Sequence, residues 1–435
     1  MHHYIRYYLS VIVLIFFISG TKAQDNVLPV SAALEKALEN NYGIIISKSQ
    51  TDIAEVNNNW GTAGRYPTIG FNASSSNNIE LINNSTTNRL SGGVGMNWTL
   101  FDGYRVNITK GRLEKLEGLA KGRTAVVVEN TIQDVILGYY NVLLQKEQLE
   151  VLDQVMGLSR DRYEYEQMRR DLGSSLTYNV LQAKNVYLED SAAYLNQQVV
   201  VRNAIRNLNF VLGEESSARW TFTESFEPDT SDYRLGNLLD KMLGNNQTLQ
   251  NQYANLMISK EDTRLRESER YPSLRLSTGV DNSWSRINNE GMDAITSENV
   301  TPYANISLSY DIYTGGTRRQ AIEIAQINEE IAQTEIEEME HSLTNVLFNE
   351  YDLYNVRKTL LNVAIENLDA AELNLKIAEE KFKTGAINSF NYRDIQLIYL
   401  NAALQRLRSV YNLIDSSTNL TRLIGGFVEE EAMIE

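Results

Sequence analysis

Two stretches of the chain, residues 104–172 and 316–384, carry apolar residues three or four positions apart. This spacing is typical of helices that pack as coiled coils. One seam in the second stretch consists of Ile365, Leu368, Ala371, Leu375, Ala378 and Phe382. At about 1.5 Å per residue, either stretch would form a helix roughly 100 Å long. The pattern therefore predicts two helices longer than a compact globule needs, so their length is itself a clue to function.

A glycine ends each long stretch, and a shorter helical pattern follows it. Gly173 precedes residues 174–212, and Gly385 precedes residues 386–424. Glycine readily adopts the positive φ angles that a tight turn after a helix requires. The sequence therefore predicts two long helical hairpins, each with a short return helix.

A further helical pattern precedes each hairpin, at residues 30–60 and again at 235–268. Each return helix is much shorter than its long helix. We therefore expect the two shorter helices of each half to stack end to end beside the long one.

Between these helices the hydrophobic pattern changes to alternation, after Arg-Tyr-Pro at 65–67 and again at 270–272. Alternation predicts strands with one apolar face, so residues 65–102 and 270–314 are each predicted to form a β-hairpin. The apolar face consists of Ile69, Phe71, Val94, Met96, Trp98, Leu100, Leu274, Leu276, Ile306, Leu308 and Tyr310.

Two environments suit such strands. A soluble sheet packed on a core alternates in this way, and so does a transmembrane barrel, whose apolar residues face lipid. Trp98 and Tyr310 lie at strand ends, where membrane barrels place aromatic residues. Four strands cannot close a barrel, which needs about eight, so a membrane barrel would require several chains.

The two halves of the chain repeat each other. Gly103 aligns with Gly315, and Gly213 with Gly425, at one constant offset and without an insertion. A repeat this long indicates that one structural unit is used twice. The predicted organisation is a first repeat at 24–213, a connector at 214–233, a second repeat at 234–425 and an acidic tail at 426–435. We expect the connector and the tail to form a belt around the middle of the long helices.

Composition excludes several classes of site. The chain has 435 residues, a formal net charge of −16 and no cysteine. The acidic balance disfavours binding to nucleic acid, and the lack of cysteine excludes disulfides and thiolate metal sites. Residues 1–23 have the pattern of a secretory signal peptide, because their apolar run of about ten residues is too short for the roughly 20 of a spanning helix.

The residues of common catalytic sites are also missing. After the signal segment the only histidine is His341, beside Glu337 in a helical stretch, so a histidine-based triad would depend on that residue alone. No glycine-rich phosphate loop is present. Paired acids leave a carboxylate-only hydrolase as a formal alternative. We predict a protein that is not an enzyme and that binds no cofactor or metal.

Three features occur in the same order in both repeats. They are a strand that runs into a long helix, a glycine at the tip, and a return helix ending Leu-x-x-x-x-Gly. In the first repeat they are Leu100-Phe101-Asp102-Gly103, Gly173 and the stretch 208–213; the second return helix ends at 420–425. Together with the duplication, this arrangement resembles the outer membrane factor (TolC) family over nearly the whole chain after the signal segment.

The resemblance implies a mainly helical fold with a β-barrel part, assembled as a homotrimer. Each chain would give four strands to a 12-stranded transmembrane barrel and its long hairpins to an α-barrel in the periplasm. The implied function is a passive channel in the outer membrane of a Gram-negative bacterium, for efflux or type I secretion. The implied partners are a periplasmic adaptor and an inner membrane transporter of the RND or ABC type.

The resemblance also implies two kinds of functional residue. The family has acidic gate residues six and nine positions after the second tip glycine, which here are Asn391 and Asp394. One position has lost its carboxylate, so the implied constriction would hold three carboxylates instead of six. The residues expected to contact the adaptor are Gly173, Ser174, Ser175, Leu176, Lys383, Thr384, Gly385, Ala386 and Ile387.

One alternative stays open from the residues alone. A soluble periplasmic adaptor or structural protein, built from a helical hairpin and a small β-domain, would show the same periodicities. The two hypotheses differ in whether the apolar faces of all four strands point outward into lipid.

Overall fold

The structure is a computed structural model that describes residues 27–82, 85–289 and 291–427. The predicted signal peptide at 1–23 and all but the first two residues of the predicted tail at 426–435 lie outside these residues.

The same order of elements occurs twice along the chain. The first repeat contains β1 (Val27–Leu28), α1 (Val30–Asn40), α2 (Tyr42–Asn57), β2 (Thr68–Glu80), β3 (Ser85–Phe101), α3 (Arg105–Asp171) and α4 (Thr177–Leu212). The connector contains β4 (Thr221–Phe222). The second repeat contains α5 (Leu235–Asn245), α6 (Gln247–Ser268), β5 (Ser273–Asn289), β6 (Ile295–Ser309), α7 (Thr317–Lys383) and α8 (Ser389–Leu423).

The two long helical hairpins are confirmed. Helices α3 and α7 have 67 residues each, and each ends in a turn with a glycine of positive φ, 76° at both Gly173 and Gly385. At the first turn the amide of Ser174 donates to the carbonyl of Arg169 at 2.8 Å, which is the bond that closes a helix ending in a left-handed glycine. Among the described residues, no helix has both the length and the apolar character needed to cross a bilayer.

Both return helices start later than predicted. They begin at Thr177 and Ser389, whereas the sequence pattern placed their starts at 174 and 386. The residues after each glycine belong to the turn, and Leu176 has an extended backbone immediately before α4.

Each shorter helix is interrupted by an asparagine, so the prediction of continuous helices over 30–60 and 235–268 was wrong. Asn41 separates α1 from α2, and Asn246 separates α5 from α6; both have an extended backbone, with ψ of 123° and 115°. Asparagine forms local side-chain bonds that compete with the helix and favour its ends. The first of these segments also stops at Asn57, before the predicted end.

The two asparagines fasten the ends of the return helices. The side-chain amide of Asn41 donates to the carbonyl of Val211 at 2.8 Å, and that of Asn246 donates to the carbonyl of Leu423 at 3.0 Å. Carbonyls in the last turn of a helix have no partner within it. Each interruption therefore provides a cap for a return helix, at corresponding positions of the two repeats.

The four long strands form one antiparallel sheet in the order β2-β3-β5-β6. Its register pairs the predicted apolar residues with one another: Ile69 with Met96, and Trp98 with Leu276, which pairs in turn with Ile306. Side chains of directly paired residues lie on the same face of a sheet. The predicted apolar positions therefore form one continuous face.

Two predicted members of this face have irregular positions. The register shifts between Thr99 and Phe101, so Leu100 lies in a bulge, where a strand bends and twists more strongly. Tyr310 directly follows Ser309, the last residue of β6. Strands β2 and β6 are the edges of the sheet, and neither has a second partner in the described part of the chain.

The chain divides into two compact units, and each takes segments from both repeats. One unit contains the described residues up to 42 with 130–234 and 349–422; the other contains 43–129, 235–348 and 423–427. Neither sequence repeat is therefore a compact unit by itself, since each contributes segments to both units. A long helix is surrounded by different neighbours along its length, so its two ends belong to different cores.

We predict that Gly213→Ala destabilises the protein by about 1–3 kcal/mol. Gly213 ends α4 with a φ of 70°, and an added Cβ would overlap the carbonyl oxygen of Asn40. The control is Gly157→Ala within α3, where no atom lies within 4 Å of the added Cβ; this change should be neutral or stabilise by up to about 1 kcal/mol. Thermal unfolding of the two purified variants tests the prediction, which equal midpoints would contradict.

Candidate functional site

The apolar face of the sheet is uncovered in the single chain. On the edge strands, Ile69 and Phe71 are 72% and 73% exposed, and Ile306 and Leu308 are 69% and 70% exposed. A continuous apolar surface of this kind marks a face that contacts lipid or another protein.

The opposite face carries small and polar side chains. Gly70, Gly95, Gly279 and Tyr303 form one row across the four strands. The hydroxyl of Tyr303 lies 2.8 Å from the position that a Cβ on Gly95 would occupy, so its side chain lies across the glycines. The glycines of this row therefore leave room that the Tyr303 side chain occupies.

The two predicted gate residues lie together near the start of α8. Asn391 and Asp394 are both exposed, and because they are three positions apart they share one side of the helix. The start of α8 is held by Asn388, whose side-chain oxygen accepts a hydrogen bond from the amide of Asn391 at 2.9 Å. The structure thus places both positions on an exposed surface of the chain.

The first hairpin tip combines structural and exposed residues. The hydroxyl of Ser174 donates to the carbonyl of Arg169 at 3.0 Å, and that of Ser175 donates to the carboxylate of Glu166 at 2.5 Å. Leu176 is 70% exposed. Of these three predicted contact residues, Leu176 presents an apolar surface, while the two serines hold the turn.

The second tip shows the same division. Lys383 pairs with Glu379 at 2.5 Å, and this hydrogen-bonded carboxylate raises the pKa of Lys383. The hydroxyl of Thr384 bonds to the backbone of the last turn of α7, and Ile387 packs against a buried cluster. Ala386 is exposed and free to contact a partner.

Sequence reasoning missed a buried group of charged side chains near the tips, which we name the tip cluster. It consists of Arg162 and Glu166 of α3, Asp190 of α4 and Arg393 of α8. Arg393 donates two hydrogen bonds to Asp190, each at 2.8 Å, and the two side chains are only 15% and 10% exposed. This two-bond geometry matches the planar fork of a guanidinium group. The pair joins α4 to α8, and its arginine, Arg393, directly precedes Asp394.

The other two members of the tip cluster are buried more deeply. Arg162 is 3% exposed and Glu166 is 1% exposed. Arg162 donates to the carbonyl of Ser389, the first residue of α8, at 3.3 Å. Burial, followed by the nearby positive charge of Arg393, lowers the pKa of Arg162 to about 10, so its side chain is still charged at neutral pH. The cluster therefore balances two positive and two negative charges inside the protein.

A comparison of the two repeats would have revealed this cluster. The first-repeat position equivalent to Arg393 is Leu181, and the second-repeat position equivalent to Asp190 is Ala402. Charged residues thus replace apolar ones at equivalent helical positions. That pattern signals a contact between the two repeats that is made once and has no equivalent at the matching positions.

The connector binds to both long helices. The hydroxyl of Tyr139 in α3 donates to the carbonyl of Leu28 at 2.8 Å, next to the β1–β4 pair that the connector completes. The hydroxyl of Tyr354 in α7 donates to the carbonyl of Ser231 at 2.7 Å. Tyr139 and Tyr354 are 0% and 1% exposed. The connector region therefore contacts both long helices, the belt stays a prediction, and the tail lies almost wholly outside the described residues.

Solved outer membrane channels share this fold. CusC matches with a TM-score of 0.75 at 16% identity, over 91% of this chain and 92% of its own. VceC of Vibrio cholerae matches with a TM-score of 0.71 at 12% identity, over 91% and 96% of the two chains. CmeC of Campylobacter jejuni matches with a TM-score of 0.68 at 16% identity, over 91% and 85%. The chain thus shares its fold with these proteins. No curated protein sequence matches the chain.

The family follows from the sequence. Residues 33–214 and 238–426 match the model of the outer membrane efflux protein family, which covers both repeats. The chain belongs to this family, and it is an outer membrane efflux channel protein and not an enzyme. Membership decides against the alternative of a soluble hairpin protein.

We predict that the buried ion pair of Arg393 and Asp190 stabilises the protein only when both charges are present. Arg393→Leu leaves Asp190 buried without its partner, which should cost about 3–5 kcal/mol. The double variant Arg393→Leu with Asp190→Ala copies the apolar residues of the equivalent positions, and it should recover most of that loss. Thermal unfolding of wild type, both single variants and the double variant measures the coupling. A double variant no more stable than Arg393→Leu alone would contradict the prediction.

Proposed function

We propose that three copies of the chain form one gated channel through which substrates leave the cell. The observation that carries this proposal is the four-stranded sheet of a member of an efflux family. Its apolar face is exposed, and its two edges have no further partner in the described part of the chain. Within a bilayer every backbone N–H and C=O needs a partner, so a sheet must close on itself. Four strands from each of three chains give a 12-stranded barrel, which exceeds the minimum of about eight.

The two faces of the sheet then have different roles. The predicted apolar residues, such as Phe71 and Ile306, face lipid, and the row that includes Gly95 and Tyr303 faces the lumen. Apolar residues outside and polar residues inside are the pattern of membrane barrels. The small residues of the inner face keep the lumen wide enough for a substrate to pass.

The long hairpins extend this barrel into the periplasm. Three copies of α3 and α7, each with its return helix, would enclose an α-barrel. Because each helix forms its own backbone hydrogen bonds, this part of the channel has no unpaired strand edges and can form in the aqueous periplasm. The channel itself is a passive conduit.

The gate is formed by the exposed residues at the start of α8. Three copies of Asp394 give a ring of carboxylates, and three copies of Asn391 give a neighbouring ring of amides. Like charges held close together repel one another and attract cations. The bonds from Arg393 to Asp190 and from Arg162 to Ser389 fix the first turns of α8 and so position these rings.

We predict opposite effects for changes at the two gate positions. Asp394→Ala removes the carboxylate ring and should raise single-channel conductance in a planar lipid bilayer. Asn391→Asp adds a second ring and should lower conductance and strengthen block by divalent cations. If wild type forms no channels, the proposed function is wrong; if channels form and both variants conduct like wild type, the gate assignment alone is wrong.

Energy for transport must come from a partner. No glycine-rich phosphate loop occurs in the sequence. We infer that the channel is joined through a periplasmic adaptor to an inner membrane transporter of the RND or ABC type, in efflux or in type I secretion. The surfaces that support this inference are the exposed residues of the two tips, above all Leu176 and Ala386.

We predict that cysteines at positions 176 and 386 form cross-links to a co-expressed adaptor. The chain has no natural cysteine, so a maleimide-based cross-linker would report only the introduced residue. Ser175 and Ile387 are poorer positions, since Ser175 bonds Glu166 and Ile387 packs inward. The control is Glu227→Cys, an exposed position in the connector. Adducts at the control but at neither tip, with the assembly intact, would refute docking at the tips.

A further inference from the structure

An open depression of about 310 Å³ lies on the small, polar face of the four-stranded sheet. Two neighbouring rows of paired residues on β2, β3 and β5 line it. The first row is Asn72, Gly93 and Asp281, and the second is Ser74, Ser91 and Ser283. The apolar side chains of Phe71 and Val94, on the other face, are not part of the lining. The depression therefore opens on the face that carries Tyr303.

The carboxylate of Asp281 lies across β3, above Gly93. A Cβ on Gly93 would overlap this carboxylate, so the absence of a side chain at position 93 gives the carboxylate its place. Asp281 is exposed, and it forms no hydrogen bond or salt bridge with another residue in the described part of the chain. A ligand in the depression can therefore reach this carboxylate.

Uncharged oxygen atoms surround the carboxylate. The hydroxyls of Ser74 and Ser91 are hydrogen-bonded to each other at 2.8 Å. A hydroxyl has two lone pairs but only one proton, so this pair can still accept hydrogen bonds from a ligand. Asn72 is exposed in the same row as Asp281, and its amide oxygen is a further acceptor. The depression thus offers one negative charge beside several neutral acceptors.

The charges on this face favour a ligand with a single positive charge. Asp281 disfavours anions. Arg275, on the same side of β5, and Arg89, which pairs with Ser285, are exposed on either side of the depression along the strands. Two positive groups nearby disfavour a ligand that carries more than one positive charge.

The donor set also separates an ammonium group from a metal ion. Calcium takes about six to eight oxygen ligands, several of them from carboxylates in its usual sites, and this depression has one carboxylate. An ammonium group has three N–H donors and no acceptor. It can therefore bond the carboxylate and two neutral oxygens at once.

We propose that this depression binds a small molecule with one ammonium group, held by the carboxylate of Asp281 and by oxygen atoms of Asn72 and Ser91. The volume is at the lower end of the roughly 300–1,000 Å³ of small-molecule sites, so the ligand has the size of a short alkylamine or amino alcohol. Because the carboxylate is exposed, binding is weak and quickly reversed.

The role of the site in transport rests on the proposed function, in which this face lines the lumen. Weak binding there would raise the local concentration of ammonium-bearing substrates. Conduction also requires that a bound molecule can leave again, and an exposed site meets that requirement.

The first test is ¹⁹F NMR of 3-fluoropropylammonium at low ionic strength, with the full-length protein in a non-ionic detergent. Asp281→Asn keeps the shape of the side chain and removes its charge, so it should weaken binding about fivefold or more. The matched control is Asp293→Asn, at an exposed position in the turn before β6, which should bind like wild type. Absence of saturable binding to wild type, or equal binding to Asp281→Asn, would overturn the proposal.

Three further probes test the class of ligand. The neutral 3-fluoropropanol and the anion 3-fluoropropionate should both bind more weakly than the ammonium probe. Calcium chloride should displace the probe only at ionic strengths where sodium chloride does the same. Equal binding of the alcohol would overturn the role of the charge, and displacement by calcium at much lower concentrations would overturn the choice of an ammonium group over a metal ion.

The second test separates this site from the proposed gate. Propylammonium should cause brief interruptions of the single-channel current in a planar lipid bilayer. The interruptions should persist in Asp394→Ala and become fewer in Asp281→Asn. If wild type forms no channels, the proposed function fails while the NMR result still decides the binding site. If channels form and Asp281→Asn is interrupted as often as wild type, the role in the lumen is wrong.

Discussion

A sheet edge inside a membrane cannot leave its backbone groups without partners, and the organisation of this chain follows from that constraint. The four strands end in two edges, β2 and β6, without further partners in the described residues, and water is not available in the bilayer to satisfy them. Joining edges between copies removes the problem for all strands at once. The helices have no unpaired edges, because each helix forms its own backbone hydrogen bonds. The long helices α3 and α7 therefore add length without adding new edges.

The duplication gives both halves the same framework of helices and strands, and the proposed gate lies where the two halves differ. The caps that Asn41 and Asn246 provide are equivalent in the two repeats. The tip cluster has no such equivalent, since Arg393 corresponds to Leu181 in the other repeat. The proposed gate lies on one hairpin only, at the start of α8. Retained similarity therefore marks the framework, and a departure from it lies next to the proposed gate.

The sequence was sufficient for the features that depend on local periodicity. Apolar spacing located the long helices, alternation located the strands, and the register then placed Ile69, Met96 and Ile306 on one face as expected. The breaks at Asn41 and Asn246 were missed because the helical pattern continues across them and their cause is a bond to a distant carbonyl. The pair of Arg393 and Asp190 was missed for a related reason. No spacing rule relates two residues so far apart in the chain, and only the missing counterpart in the other repeat gave a signal.

A buried ion pair joins two helices at a large desolvation cost, so its presence beside the proposed gate requires a reason. Removing two charges from water often cancels the attraction between them, and apolar residues of similar size can stabilise a core as well. The equivalent positions, Leu181 in the first repeat and Ala402 in the second, do carry apolar residues. Apolar packing, however, tolerates small rotations of a helix, whereas the two bonds from Arg393 to Asp190 hold only at one orientation. In the proposed ring the carboxylates of Asp394 would repel one another and favour a rotation of α8, and a directional bond at the neighbouring Arg393 would resist that rotation.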